Sequence, residues 1–166
     1  MVGQLLVLLL TAIILTGCAP VISKETLSGI DRTLAFKEIA RSPASYVGKQ
    51  VVFGGSILNV ENEENKTIIE VLQEGLNSQL KPVVREESAG RFLVEIEGFL
   101  DPAIYSVGKG LTVAGEVVRT EKMKLGKGSY TYPVIRPREY HLWEPGGYGR
   151  EPSIGIGIGL GYTHID

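Results

Sequence analysis

The alternation of hydrophobic and polar positions divides the chain into three parts. Residues 5–15 are an uncharged, mainly apolar run, residues 51–143 contain stretches in which apolar and polar positions alternate, and residues 154–162 alternate a large apolar side chain with glycine. A period of two is typical of strands that bury one face. We therefore expect a mainly β domain between two segments of different character.

Five strands are predicted in the central part. Residues 51–72 predict a long hairpin that turns at the polar residues 62–65. Residues 91–97 predict the third strand, in which Leu93 breaks the alternation. Its inward positions are Phe92, Val94 and Ile96, and its outward positions are Arg91, Glu95 and Glu97. A basic turn at residues 122–129 leads into the last strand, residues 130–143, which Pro133 and Pro137 confine to an edge or a break.

One pattern of residues occurs twice, at 43–58 and 102–118. Each copy has a proline, a tyrosine three residues later, a Gly-Lys pair and then a strand with a glycine in its middle. The proline starts a helical turn, and the tyrosine is predicted to fill the core beneath it. A glycine inside a strand marks a bend, and small barrels need bends to close. Two copies predict bent strands at equivalent corners of one barrel.

The order of elements is three strands, a helical turn and two strands. This order predicts a small five-stranded OB-like Greek-key barrel over residues 31–144. One short N-terminal helix is predicted at residues 33–41, with Asp31 or Thr33 as its cap and Ser42-Pro43 as its end. Residues 18–30 show no sustained period and are predicted to be a tether. Residues 75–90 are either a binding loop or a solvated insertion, and their charged composition favours the insertion.

The apolar run at residues 5–15 is too short to cross a bilayer as a helix, and its length is that of a signal peptide. It ends at Leu15-Thr16-Gly17-Cys18, two small residues before the single cysteine of the chain. The pattern resembles the lipobox of bacterial lipoproteins, in which the cysteine is acylated after cleavage before it. Residues 1–17 are therefore predicted to be a signal peptide, and Cys18 the lipidated residue that attaches the chain to a membrane. The alternative is an ordinary secretory signal or a short anchor with a bystander cysteine.

The charges nearly cancel, with 17 basic and 19 acidic residues. This balance disfavours nucleic acid as a partner. With Cys18 acylated, no thiol remains for a disulfide or a metal. The two histidines, His141 and His164, lack metal-ligand spacing, and no catalytic constellation is evident. We expect no enzyme activity, no cofactor and no metal; Asp101 most simply caps the turn after it.

The C-terminal residues 145–166 are rich in glycine and proline before the alternating segment begins. In an extended chain, the large side chains of that segment would all lie on one face. They are Ile154, Ile156, Ile158 and Leu160. An unpaired apolar strand invites self-association. The segment is therefore either a flexible tail or a docking strand for a partner, for its own copy or for the membrane surface.

Several motifs together resemble the Slp-type family, the starvation-inducible outer-membrane lipoproteins of Gram-negative bacteria. The most specific are Gly98-Phe99-Leu100-Asp101-Pro102 and Phe53-Gly54-Gly55; Cys18 and the final Tyr140-His141-Leu142-Trp143 also agree. The resemblance implies an outer-membrane location, since Ala19 is not the aspartate of retained lipoproteins, and a link to starvation or stress. It implies no catalytic residues. The leading function is structural or partner-binding, with an envelope protein or peptidoglycan as partner; the alternative is a periplasmic module that binds an oligosaccharide, peptide or small ligand on the barrel face.

Overall fold

The structure is a computed structural model, and it describes residues 20–83 and 88–144. The predicted signal peptide, Cys18 and the C-terminal segment with Ile154, Ile156, Ile158 and Leu160 lie outside the described residues. The elements are α1 (Lys24–Ser28), α2 (Phe36–Arg41), a 3-10 helix (Pro43–Tyr46), β1 (Gln50–Asn62), β2 (Lys66–Leu76), β3 (Pro82–Val83), β4 (Arg91–Glu97), β5 (Gly110–Leu125) and β6 (Gly128–Trp143). None of the described helices is long and apolar enough to cross a membrane.

Five strands close into a barrel in the order β1-β2-β4-β6-β5, because β1 pairs with both β2 and β5. Four of the five pairings are antiparallel, and the fifth joins β4 and β6 in parallel, with Leu93 opposite Val134. The short β3 adds to the end of β2. This arrangement confirms the predicted five-stranded OB-like barrel.

The core fills the barrel with the inward side chains of all five strands. Phe92, Val94 and Ile96 are buried there, as the alternation predicts. α2 closes the barrel with Phe36 and Ile39, both buried. The ring of Phe36 lies 5.1 Å from that of Phe53 in an edge-to-face arrangement, a favourable geometry for aromatic pairs. The short helix α2 is therefore held on the barrel mainly by these two buried side chains.

The repeated pattern forms a symmetric pair of contacts. The backbone amide of Gly48 donates to the Val117 carbonyl at 2.8 Å, and that of Gly108 donates to the Ile57 carbonyl at 2.9 Å. Each Gly-Lys turn is thus bonded to the strand of the other copy. The tyrosines of both copies, Tyr46 and Tyr105, are partly buried against the core, as predicted.

The mid-strand glycines lie where another strand passes in contact. A β-carbon on Gly55 would come within 1.8 Å of the Leu72 carbonyl oxygen, and one on Gly115 within 2.1 Å of the Arg136 carbonyl oxygen. Neither position has room for a side chain. The pairing of β5 with β6 also shifts between Ala114 and Gly115, opposite Pro137, so this proline lies at a break as predicted.

Two local predictions need correction, and one helix was not predicted. α2 begins at Phe36 with Ala35 as a cap that makes no side-chain bond, because Asp31 instead accepts from the amide of Thr33 at 2.9 Å and closes a separate turn. The basic turn predicted at residues 122–129 is shorter, since β5 runs to Leu125 and β6 begins at Gly128. The helix α1 lies within residues 18–30, for which the sequence pattern predicts a tether and no helix.

Candidate functional site

Residues 20–30 lie against the outside of the barrel. Ile22 is fully buried and packs with Ile30 and Ala114. Ser23 caps α1 by accepting from the amide of Thr26 at 3.1 Å. The stretch expected to be a tether is therefore folded onto the domain from Ile22 onward, and a helix of five residues is too short to show a period in the sequence.

Glu139 on β6 fixes this segment to the barrel. Its carboxylate accepts from the Ser23 amide at 2.7 Å, from the Ser23 hydroxyl at 2.5 Å and from the Thr26 hydroxyl at 2.6 Å. These bonds, with those from Ser23 the strongest, lower the pKa of Glu139. A charged acceptor with several donors makes a stronger contact than a neutral one.

The residues after β2 cover the same side of the barrel. The Thr112 hydroxyl donates to the Leu80 carbonyl at 2.6 Å, and the indole N–H of Trp143 donates to the Thr112 hydroxyl at 2.9 Å. The Lys81 ammonium lies 5.6 Å from the Trp143 ring centre, within cation–π range. The interpretation of residues 75–90 as a solvated insertion is therefore wrong at Leu80 and Lys81, which these contacts hold against β5 and β6, whereas residues 77–79 are exposed.

A cavity of about 440 Å³ lies between these two segments. It is lined by Pro20, Val21, Leu27, Arg32, Ser78, Gln79, Leu80 and Trp143. Most of the lining is apolar, with one guanidinium. The cavity brings the N-terminal end of the described chain next to the C-terminal end of β6.

Glu95 is the centre of an ion cluster on the outside of the barrel. Its carboxylate accepts from Arg136 at 2.8 Å, from Arg119 at 2.9 Å and from Lys66 at 3.1 Å. The prediction that Glu95 faces water is wrong: the residue is 8 % exposed, because the long β5–β6 hairpin places two arginines over β4. The hydrogen bond from Arg136, with those from Arg119 and Lys66, lowers the pKa of Glu95 to about 2.

A second apolar cluster adjoins these charges and explains why Leu93 breaks the alternation. Leu93 packs outside the barrel against Tyr132 and Val134, and all three are buried. The Tyr132 hydroxyl donates to the Glu70 carboxylate at 2.9 Å. The outer β2–β4 face is thus covered by the protein's own side chains, which disfavours this face as a ligand site. The apolar Leu93 at an outward position of β4 was the one feature of the sequence that indicated a covered outer face.

The residues considered as candidates for catalysis or metal binding do not lie together in one site. The His141 ring packs edge-on against Trp143 at 4.5 Å, and Glu97 is exposed. Asp101 accepts from the amide of Ala103 at 2.8 Å, which confirms its role in the turn. Within residues 20–83 and 88–144, no group of three histidine, cysteine, aspartate or glutamate side chains could hold a metal. His164 is outside the described residues.

Fold and surface together define a small OB-like barrel whose N-terminal segment is bound to its own wall. The sequence model of the outer membrane lipoprotein Slp family matches residues 15–156, and the chain belongs to this family. Membership confirms the resemblance seen in the motifs and places the chain among outer-membrane lipoproteins.

Curated relatives agree with this assignment. The uncharacterized lipoprotein YeaY of Escherichia coli K12 is 31% identical over 134 residues, which cover 80% of this chain and 68% of that protein. An uncharacterized protein of Haemophilus influenzae is 37% identical over 133 residues, 78% of this chain and 70% of its own length. The outer membrane protein Slp of E. coli is 29% identical over 109 residues, 66% of this chain and 57% of that protein. No solved structure matches the chain.

Proposed function

We propose that acyl chains on Cys18 anchor this protein in the outer membrane and that its barrel has a structural or partner-binding role in the cell envelope under starvation or stress. The observation that carries the proposal is the position of Leu15-Thr16-Gly17-Cys18 relative to the folded domain. The cysteine precedes the fully buried Ile22 by four residues. Family membership supports the location.

A non-catalytic role is supported by how the charged groups are used. Glu95 is neutralised by three cations, and Glu139 holds the N-terminal segment. Both carboxylates have lowered pKa values, which makes them poor proton carriers near neutral pH. These contacts stabilise the domain.

We propose the tip of the β5–β6 hairpin as the site of the partner contact. Met123 and Leu125 are 39 % and 37 % exposed there. The tip lies at the opposite end of the hairpin from Trp143, near which the N-terminal segment leaves the barrel. An envelope protein or peptidoglycan is the proposed partner.

Mass spectrometry of the mature protein, combined with membrane fractionation, tests the anchor. We expect an N-terminus at Cys18 that carries acyl chains, and a Cys18→Ser variant that loses both the lipid and outer-membrane fractionation. Ser28→Ala, an exposed change in the same segment, is the matched control. An unmodified thiol at Cys18 in the purified native protein contradicts the proposal.

A photo-crosslinker at position 123 in intact cells tests the partner role. We expect capture of an envelope protein or of peptidoglycan fragments, and no capture from position 37, which is exposed on α2. Equal capture from both positions, or from neither, contradicts a partner site at the tip. Full stress survival of cells that lack the protein contradicts the physiological role.

The C-terminal segment is proposed as a self-association strand through Ile154, Ile156, Ile158 and Leu160. The strict alternation with glycine supports this proposal, because an extended strand of this sequence would have all its large side chains on one face. A chain that ends at Glu144 should then form oligomers of fewer chains in detergent, as measured by analytical ultracentrifugation. An unchanged number of chains per oligomer discards the idea.

A further inference from the structure

The N-terminal segment leaves the barrel in a defined direction. Ser23 is bonded to Glu139, and Pro20 lines a cavity with Trp143, four residues further along β6. Towards the N-terminus, the segment thus runs along β6 to the end of that strand. Cys18 continues from there by two residues.

The link from the barrel to the anchor is short. Ile22 is 0 % exposed and cannot leave its site without exposing a core side chain. A fully extended chain covers at most about 3.3–3.6 Å per residue, so the α-carbon of Cys18 lies within about 14 Å of that of Ile22. This is close to the ~13 Å radius of gyration of a 100-residue domain. An acylated Cys18 would therefore keep the barrel close to the bilayer. The short link would also restrict which end of the barrel can face the membrane.

An exposed apolar loop occupies this end of the barrel. β5 begins beside the end of β6, with Gly110 opposite Trp143 and the Lys109 ammonium 3.5 Å from the Glu144 carboxylate. The preceding residues, 98–109, form the connection from β4. Their large apolar side chains are exposed by 73 % at Phe99, 53 % at Ile104 and 68 % at Val107. Half of the six exposed large hydrophobic residues in the described parts of the chain lie in this one loop.

The loop holds these side chains outward on a fixed backbone. The amide of Leu100 donates to Asn62 at 3.2 Å and to Thr67 at 3.1 Å, and the amide of Tyr105 donates to the Asp101 carbonyl at 2.9 Å. Among the described residues, the ring of Phe99 packs in no core cluster. Leu100 and Tyr105, on either side of the turn, do pack on the core. Clustered exposed apolar side chains mark a contact surface.

We propose that residues 98–109 insert into the headgroup region of the membrane that carries the anchor, so that the barrel rests on the bilayer at the end where β6 finishes. This inference rests on the proposed acylation of Cys18. The bilayer is favoured over a second copy because the short link brings the anchored membrane to this end. Trp143 with Lys81 beside it supplies the aromatic and cationic side chains that suit a membrane interface.

A tryptophan placed in the loop tests the proposal, since the chain has only Trp143. The full-length lipoprotein with Phe99→Trp and Trp143→Phe is reconstituted into vesicles of phosphatidylethanolamine and phosphatidylglycerol, with or without brominated acyl chains. We expect a blue-shifted spectrum and a loss of about half or more of the fluorescence to bromine, as an interfacial tryptophan gives. Met123→Trp in the same Trp143→Phe background is the control and should stay unquenched.

Adding Ile104→Asp and Val107→Asp should abolish the quenching at position 99, whereas Val47→Asp with Leu125→Asp should leave it unchanged. Thermal melts establish that each variant is folded. A protein that floats with the vesicles but shows no quenching at position 99 overturns the inference and leaves the anchor intact. A protein that does not float overturns the anchor and the inference together. If Ile104→Asp with Val107→Asp changes the oligomeric mass but not the quenching at position 99, the loop is a contact between copies. That result also overturns the inference.

Discussion

Phe53 and Val113 occupy equivalent positions in the two copies of the repeated pattern, and they are opposite each other in the β1–β5 pairing. A pair that joins equivalent positions places a local two-fold axis between the strands. The amides of Gly48 and Gly108 follow the same symmetry in their bonds to Val117 and Ile57. Each copy therefore completes the other, because the amide of each turn glycine is bonded to the strand of the other copy.

Gly55→Ala should destabilise the barrel. The added β-carbon would meet the Leu72 carbonyl oxygen at 1.8 Å, and backbone cannot move aside as a flexible side chain can. We expect a loss of roughly 3 kcal/mol in the free energy of unfolding, the scale of overpacking in a dense core. Urea denaturation measures it. Gly128→Ala, where the nearest atom is at 3.8 Å, is the control; equal effects at the two positions would refute the close-approach argument.

Glu95→Gln should leave Arg136, Arg119 and Lys66 without their shared carboxylate. We expect a loss of about 3 kcal/mol in the free energy of unfolding, the scale set by a carboxyl pKa that is lowered from 4.5 to about 2. Chemical denaturation at neutral pH measures it. Glu97→Gln removes an exposed carboxylate on the same strand and should cost little. If both variants lose the same free energy, the cluster is not the cause.

The stability of the wild type should depend on pH through Glu95. Its pKa is about 2 in the folded chain and near the ordinary 4.5 when unfolded. The unfolded state therefore binds the proton first as pH falls, so this stabilisation is full above about pH 5 and is lost between about 4.5 and 2. Denaturation over pH 7 to 2 should show the difference between wild type and Glu95→Gln shrinking through that window. A constant difference would exclude Glu95 as the titrating group.

Ile22→Ala should destabilise the whole domain if residues 20–30 belong to it. The side chain is fully buried between Ile30 and Ala114, and truncation of such a residue costs about 2–5 kcal/mol. A thermal melt of the barrel measures the loss. Lys24→Ala, on the exposed side of α1, is the control and should have a small effect. An unchanged melting temperature for Ile22→Ala would mean that the segment is only loosely attached.

The sequence by itself determined the number, type and order of the barrel strands, the inward positions of β4 and the repeat that pairs β1 with β5. These follow from a period of two and from glycine and proline positions, which are local properties that a chain shows wherever it folds. The four-residue motif that ends at Cys18 is equally local.

Only the tertiary structure decided what covers the outside of the barrel. Glu95 meets Arg119 and Arg136, 24 and 41 residues away, and Ser23 meets Glu139 across 116 residues. An outward strand position faces water unless another segment folds over it, and which segment does so depends on long-range closure that no local period encodes. The burial of Ile22, the ion cluster at Glu95 and the exposed apolar side chains of residues 98–109 are therefore consequences of how the barrel closes.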